Sequence, residues 1–173
     1  MAIDTLISEA QIQERIDDLA KQIEQDYQGK DLVVICVLNG AFIFCADLIR
    51  RVKNPIYVDF MKASSYGDST VSSGNLKVDL DLKVDIENKH ILLVEDIVDT
   101  GLTLTNILER LGKRKPASIK LASLLYKEAR NIHPVNIDYL GFAIDDLFVI
   151  GYGLDYAGKY RELPYIGVYR EDS

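Results

Sequence analysis

The stretch Val94-Glu95-Asp96-Ile97-Val98-Asp99-Thr100-Gly101-Leu102-Thr103 sets two adjacent carboxylates where an apolar run ends. Ionised carboxylates at the mouth of a buried strand are costly unless something partners them. A sugar diol together with a divalent cation would partner both Glu95 and Asp96. The residues that follow, Asp99 to Thr103, are mostly small and open a helix. Their backbone N–H groups and the hydroxyls of Thr100 and Thr103 can cradle a phosphate at the positive end of the helix dipole. Diol clamp and phosphate cradle then follow one another as the parts of a ribose 5-phosphate do. The competing reading is a helix cap at Asp99 or Thr100, with Glu95 and Asp96 as surface charges. The acidic pair directly ahead and the T-G-x-T pattern behind decide for the cradle.

Two more apolar runs end in unusual residues, Leu38-Asn39-Gly40 and Tyr126-Lys127. In an open parallel sheet, ligands bind beyond the carboxyl ends of the strands, so the agreement of three such exits counts for more than any one. Other phosphate motifs do not fit. No G-x-x-x-x-G-K-[ST] loop is present, and Gly151-Tyr152-Gly153 starts like a dinucleotide fingerprint but has Tyr156 in place of its third glycine. His90 and His133 are expected to be non-catalytic, and two His with two Cys spaced unlike ligands argue against zinc.

The elements that must position these exits follow from periodicity. Ser8-Glu9-Ala10-Gln11 has the form of a capping box and opens a helix with Ile12, Ile16, Leu19, Ala20 and Ile23 on one face, ended by Gly29. Solid apolar strands are predicted at Leu32–Leu38, Ile56–Met61, His90–Val94 and Ile119–Leu125, and shorter ones at Tyr139–Ala143, Phe148–Tyr152 and Tyr165–Tyr169. Helices are predicted after Gly40 and from about Thr103. Such alternation implies an α/β fold with a parallel sheet covered on both faces. Ala63 to Asn75 is Ser-, Gly- and Thr-rich and reads as a mobile loop or long hairpin tip. No repeat or linker is visible, so residues 1–173 are expected to form one domain.

Composition removes whole classes of function. The chain has 173 residues, 48% hydrophobic and 27% charged, which is ordinary for a globular protein. A net charge of −7 lacks the basic footprint of a nucleic-acid binder. No long apolar segment predicts a membrane helix, and Met1-Ala2-Ile3-Asp4 does not begin a secretory signal. Cys36 and Cys45 fall in core segments, and reduced thiols of a cytoplasmic protein are the plain reading. An acidic chain that takes a phosphate must hold it by backbone amides, helix N-termini, a few cations or a metal.

The stretch ILLVEDIVDTGLTL resembles the phosphoribosyl pyrophosphate signature of type I phosphoribosyltransferases. Nearly the whole chain is similar to the hypoxanthine-guanine phosphoribosyltransferases, through VLNGAFIFCADL, SSYGDSTVSSG, SLLYKEAR and FVIGYGLDYAGKYRELPYIGVY. The signature alone indicates the superfamily; the last motif, in register with Lys127, points to the 6-oxopurine branch. The resemblance implies an open, mostly parallel twisted sheet with helices on both faces, plus a small hood formed by the terminal segments. It also implies purine salvage, in which the 5-phosphoribosyl group of phosphoribosyl pyrophosphate passes to hypoxanthine or guanine. Magnesium, a cytoplasmic location and a homodimer or homotetramer come with it.

Residue by residue, the resemblance gives Glu95 and Asp96 the ribose hydroxyls, directly or through magnesium. Asp99 would be the general base or acid near purine N7. The backbone of Asp99, Thr100, Gly101, Leu102 and Thr103, with both Thr side chains, would bind the 5′-phosphate. Leu38, Asn39 and Gly40 resemble the pyrophosphate loop, whose middle position is often Lys, so Asn39 leaves only backbone donors there. Lys127 would donate to the purine O6, Phe148 would stack on the base, and Val149 would line its edge. Asp155, on the purine side, would anchor a second magnesium on the pyrophosphate, which Arg161 would also bind. Ser65 and Tyr66 would belong to the closing lid. Arg130 has no clean counterpart and aligns with a family arginine only after a one-residue shift. Two competitors stand beside this reading: a nucleotide-sensing RNA-binding regulator on the same fold, and a phosphoribosyltransferase for another base such as xanthine or a pyrimidine.

Overall fold

Every residue of Leu32–Val37 is buried, as befits a strand covered on both faces. In the computed structural model, which describes residues 2–65 and 76–171, this strand sits inside a six-stranded sheet. In chain order the elements are β1 (Ala2–Ile7), α1 (Glu9–Asp26), β2 (Leu32–Val37), α2 (Phe42–Ile49), β3 (Ile56–Ser65) and β4 (Leu76–Leu80). They continue as β5 (His90–Val98), α3 (Leu102–Gly112), β6 (Ser118–Tyr126), β7 (Tyr139–Ala143), β8 (Val149–Ile150) and β9 (Ile166–Arg170). The main sheet has the order β4-β3-β2-β5-β6-β7. Its strands are parallel except β4, which turns back antiparallel on β3.

Alternation along the strands divides the core in two. Val34 and Cys36 face α1 and α2 together with Leu92 and Val94. Val33, Ile35 and Val37 face α3 with Ile91 and Leu93. The five apolar residues of α1 named from sequence are all buried, a transfer gain of roughly 2 kcal/mol for each large one. Its capping box forms as read: Gln11 N donates to Ser8 Oγ at 3.2 Å, and Ser8 N donates to Gln11 Oε1 at 2.9 Å. Cys36 and Cys45 are buried and free. Among the described residues no helix is long and apolar enough to cross a membrane.

A second, antiparallel sheet of order β1-β9-β8 joins the first strand of the chain to its last. It is the hood that the resemblance implied. Several boundaries differ from the sequence reading. The strand predicted at His90–Val94 runs on to Val98, so Glu95 and Asp96 lie inside β5, still paired with β6. Ala63, Ser64 and Ser65 belong to β3 and pair with β4, so the predicted loop begins as a hairpin arm; its residues 66–75 lie outside the described residues. Strand Phe148–Tyr152 shrinks to two residues, because Gly151, Tyr152 and Gly153 all take positive φ. β1 and β4 lack the solid apolar pattern that marked the other strands, having exposed residues at alternate or successive positions.

Candidate active site

The order of the main sheet reverses between β2 and β5, so the connections leaving these neighbours run in opposite directions and leave a crevice. Leu38-Asn39-Gly40 follows β2, and the acidic stretch ends β5. The two are in close contact: a Cβ added to Gly40 would fall 1.7 Å from Asp96 Oδ2. Only glycine leaves room for the Asp96 carboxylate there. Leu38 N donates to Met61 O at 2.8 Å, the Leu38–Asn39 peptide is cis, and Asn39 is exposed.

The cradle is built by pulling its carbonyls outward. Thr100 O accepts from Ile132 N at 3.2 Å and His133 N at 2.9 Å, and Asp99 O accepts from Asn131 Nδ2 at 3.3 Å. Gly101 caps α3 with φ 88°, and a Cβ there would meet His133 O at 2.1 Å. Among the described residues the N–H groups of Thr100, Gly101 and Thr103 have no acceptor, and Leu102 N reaches only Thr100 Oγ1 at 3.4 Å. They face a cleft of ≈ 140 Å³ lined by Glu95, Asp99, Thr100, Gly101 and Thr103 among others. Unmatched donors at a helix start form an anion site. Ser65 Oγ and Thr103 Oγ1 share a hydrogen bond of 2.8 Å, so one predicted lid residue touches the cradle; the other, Tyr66, lies outside the described residues.

Electrostatics favour a cation beside this cradle. Part of Glu95 reaches solvent, yet its carboxyl is packed about by protein and pushed well above the usual carboxylate range, first by desolvation and then by the charge of Asp96. Among the described residues the backbone donates twice to the pair: Asp96 N to Glu95 Oε1 at 2.9 Å and Ile97 N to Asp96 Oδ1 at 2.7 Å. Two poorly compensated carboxylates fit a magnesium ion. No cluster of three or more potential ligands occurs among the described residues.

The third side of the crevice comes from β6, β7 and the hood. Lys127 follows β6, is buried, and has its backbone N fixed to Val98 O at 3.0 Å. Phe148 is 52% exposed, unusual for so large a ring. Tyr156 and Tyr169 meet it edge to face at 5.8 and 6.1 Å. Val149 is buried in β8. Arg161 Nη1 donates to Gly153 O at 2.5 Å, and a Cβ on Gly153 would meet Gly40 O at 2.3 Å, which places Arg161 near the Leu38–Gly40 loop. Asp155 pairs with Arg161 at 3.3 Å and accepts from Gly158 N at 2.8 Å, so its carboxylate already has partners.

Two residues of this region escaped the sequence reading. Arg130, left without a role, donates from Nε to Asp99 Oδ1 at 2.6 Å. Asp146, not singled out, stands 3.5 Å from Lys127 Nζ and 3.7 Å from Arg130 Nη1. The available signal was position: like the residues that were found, both follow the carboxyl end of a strand of the main sheet.

The sequence pattern of the phosphoribosyl transferase domain matches residues 4–157. The hypoxanthine-guanine phosphoribosyltransferase of Bacillus subtilis is 47% identical over 163 residues, 94% of this chain and 91% of that protein. The bifunctional protein TilS/HprT of Listeria monocytogenes is 44% identical over 96% of this chain, which spans only 26% of that protein's length. A crystal structure of a hypoxanthine-guanine phosphoribosyltransferase from Bacillus anthracis superposes with a TM-score of 0.93 at 47% identity, covering 96% of this chain and 98% of that one.

Proposed function

This chain belongs to the phosphoribosyl transferase domain family, and from that premise we propose that it acts in purine salvage. It transfers the 5-phosphoribosyl group of phosphoribosyl pyrophosphate to hypoxanthine or guanine, yielding IMP or GMP and pyrophosphate. The observation that carries this reading is the row of unmatched N–H groups at Thr100, Gly101 and Thr103 directly beside the Glu95–Asp96 pair. Identity of 44–47% over nearly the whole chain to proteins named for this activity supports it. The whole chain works as one unit, with the ribose phosphate on the main sheet and the base under the hood.

The reaction breaks the bond from sugar C1′ to pyrophosphate and joins C1′ to purine N9. Thr100 to Thr103 fix the 5′-phosphate, and Glu95 with Asp96 orient the ribose hydroxyls and would hold magnesium. Asp155 would hold a second magnesium on the pyrophosphate, and magnesium bound at these carboxylates would supply positive charge against the leaving group's negative charge. Positive charge developing on the ribose is met by the carboxylates of β5. Asp99 takes the N7 proton as N9 forms its bond, an assistance of about 10²–10⁴ for a positioned base. Its pairing with Arg130 is half-exposed on both sides and so costs little to open. Lys127 donates to O6, Phe148 stacks on the ring, Val149 lines its edge, and Arg161 with the Leu38–Gly40 amides receives pyrophosphate. Ser65, hydrogen-bonded to Thr103 at 2.8 Å, belongs to the lid that excludes water. The exposed rings of Phe42, Tyr57 and Phe60 supply apolar surface for assembly of a homodimer or homotetramer.

Steady-state kinetics with phosphoribosyl pyrophosphate, magnesium and each of hypoxanthine, guanine and xanthine test the proposal. Turnover of hypoxanthine or guanine that stops on chelation of magnesium is expected. Absence of nucleotide product with all three bases would overturn it.

A further inference from the structure

Lys127 is the driest cation of the site, with 11% of its side chain exposed. An ammonium held so far from water needs a fixed counter-charge. Among the described residues the carboxylate at hand is Asp146, whose Oδ1 lies 3.5 Å from Lys127 Nζ. Its other oxygen faces Arg130 Nη1 at 3.7 Å, and Arg130 Nε reaches on to Asp99 Oδ1 at 2.6 Å. Asp99 follows β5, Lys127 and Arg130 follow β6, and Asp146 follows β7. Three successive strand exits thus contribute a chain of charges alternating in sign, Asp99, Arg130, Asp146, Lys127, along one wall of the crevice.

We propose that Asp146 is a positioning residue for base recognition, holding the Lys127 ammonium where the 6-oxo group of the purine must sit. The proposal rests on the reading of Lys127 as the donor to that oxygen. A lysine has four rotatable bonds and no rigid fork, so its backbone anchor on Val98 does not by itself aim the amine. Asp146 is better fixed, lying in a short connection tied by Ile144 N to Tyr126 O at 2.9 Å and by Leu147 N to Asp145 O at 2.8 Å. The same connection runs straight into Phe148 and Val149, so counter-charge, ring and base edge come from one piece of chain. An ammonium pinned there attracts a carbonyl at position 6 and confronts a 6-amino group with another donor. Discrimination of this kind depends on the unwanted group being left unpaired.

Asp146 is 51% exposed, so substituting it should leave folding intact. The experiment compares wild type, Asp146→Asn and Asp146→Glu, measuring kcat, the KM for hypoxanthine, the KM for phosphoribosyl pyrophosphate, and the kcat/KM for adenine as the 6-amino probe. For Asp146→Asn the hypoxanthine KM is expected to rise about tenfold, as when one partner of a partly desolvated charge pair is removed. The KM for phosphoribosyl pyrophosphate should stay within about twofold, and the preference for hypoxanthine over adenine should fall about tenfold. Asp146→Glu should restore most of both. An unchanged hypoxanthine KM in an active Asp146→Asn enzyme, an equal loss for both substrates, or no recovery with Glu overturns this proposal alone. Wild-type protein inactive on every 6-oxopurine overturns the reading of Lys127 and the proposal together.

Discussion

At the scale of single residues, the acids of β5 divide their tasks by environment. Asp99 lies beyond the last strand residue with an arginine on one oxygen, whereas Glu95 is enclosed and next to another charge. Asp99→Asn keeps the shape and removes the proton acceptor. It should lower kcat by about 10²–10⁴ with little change in the affinity for phosphoribosyl pyrophosphate, measured by binding in the absence of base. Comparable losses in both quantities would mean that Asp99 holds the sugar phosphate and moves no proton. Glu95→Gln should do the reverse. In metal-free protein at neutral pH the charged carboxylate of Glu95 is disfavoured by desolvation and by Asp96, and the neutral amide relieves both. Thermal unfolding should then shift upward by roughly 2–8 °C, about 1–2 kcal/mol, while sugar-phosphate binding weakens. A lower Tm for Glu95→Gln would show that the carboxylate is satisfied in the empty protein. These carboxylates were legible in the sequence because charge directly after four apolar residues is conspicuous. Asp146 was not, since an aspartate in a polar connection is unremarkable until a buried lysine is seen beside it.

Elements position these residues through contacts made between strand exits. β2 and β5 are parallel neighbours in register, Cys36 opposite Val94, so the turns that follow must emerge side by side. Gly40 is the point of contact, with Asp96 Oδ2 filling the place of a side chain. Gly40→Ala should push the Asp96 carboxylate aside and raise the KM for phosphoribosyl pyrophosphate about tenfold or more, a cost on the order of 1–3 kcal/mol for overpacking. The KM for the base should change much less. Equal effects on the two substrates would place the disturbance elsewhere. Runs such as Leu32–Val37 and His90–Val94 announce buried strands at once, and so do the five apolar positions of α1. What periodicity could not show is where β5 ends, because Glu95 and Asp96 interrupt the apolar pattern while their backbones still pair with β6. β4 was hidden for a related reason: exposed residues at Lys77, Asp79 and Leu80 break the apolar pattern of an edge strand whose backbone pairs with β3.

Across the whole molecule the two sheets share one site, so the seating of the hood on the main body must be set by contacts between them. Leu38–Gly40 and Gly153 touch backbone to backbone. Tyr152, next to β8, donates its hydroxyl to Asp47 of α2, which also accepts from Arg50 Nη2 at 2.5 Å. Desolvation would raise the Asp47 carboxyl, but the hydrogen bonds from Tyr152, Arg50 and Gln13 outweigh it and hold the group below its ordinary value. A carboxylate whose value is lowered by folding stabilises the native state fully above the unfolded value, about 3.9, and loses that contribution as pH falls through the lower folded value. Asp47→Ala should therefore cost about 1–2 kcal/mol at pH 7, and the gap from wild type should close in strong acid, where wild type carries the proton too. Chemical unfolding of both proteins from pH 7 down to about pH 2 measures this directly. A gap that persists at low pH would mean that packing, not the charge, seats the hood. Tyr152→Phe probes the same joint from the other side without altering any charge. If the hood bears on the base through Phe148 and Val149 more than on the pyrophosphate through Arg161, Tyr152→Phe should raise the KM for hypoxanthine a few-fold and that for phosphoribosyl pyrophosphate less. Such a split requires that the hood act on the base more than on the sugar phosphate, and a parallel rise in both constants would refute it.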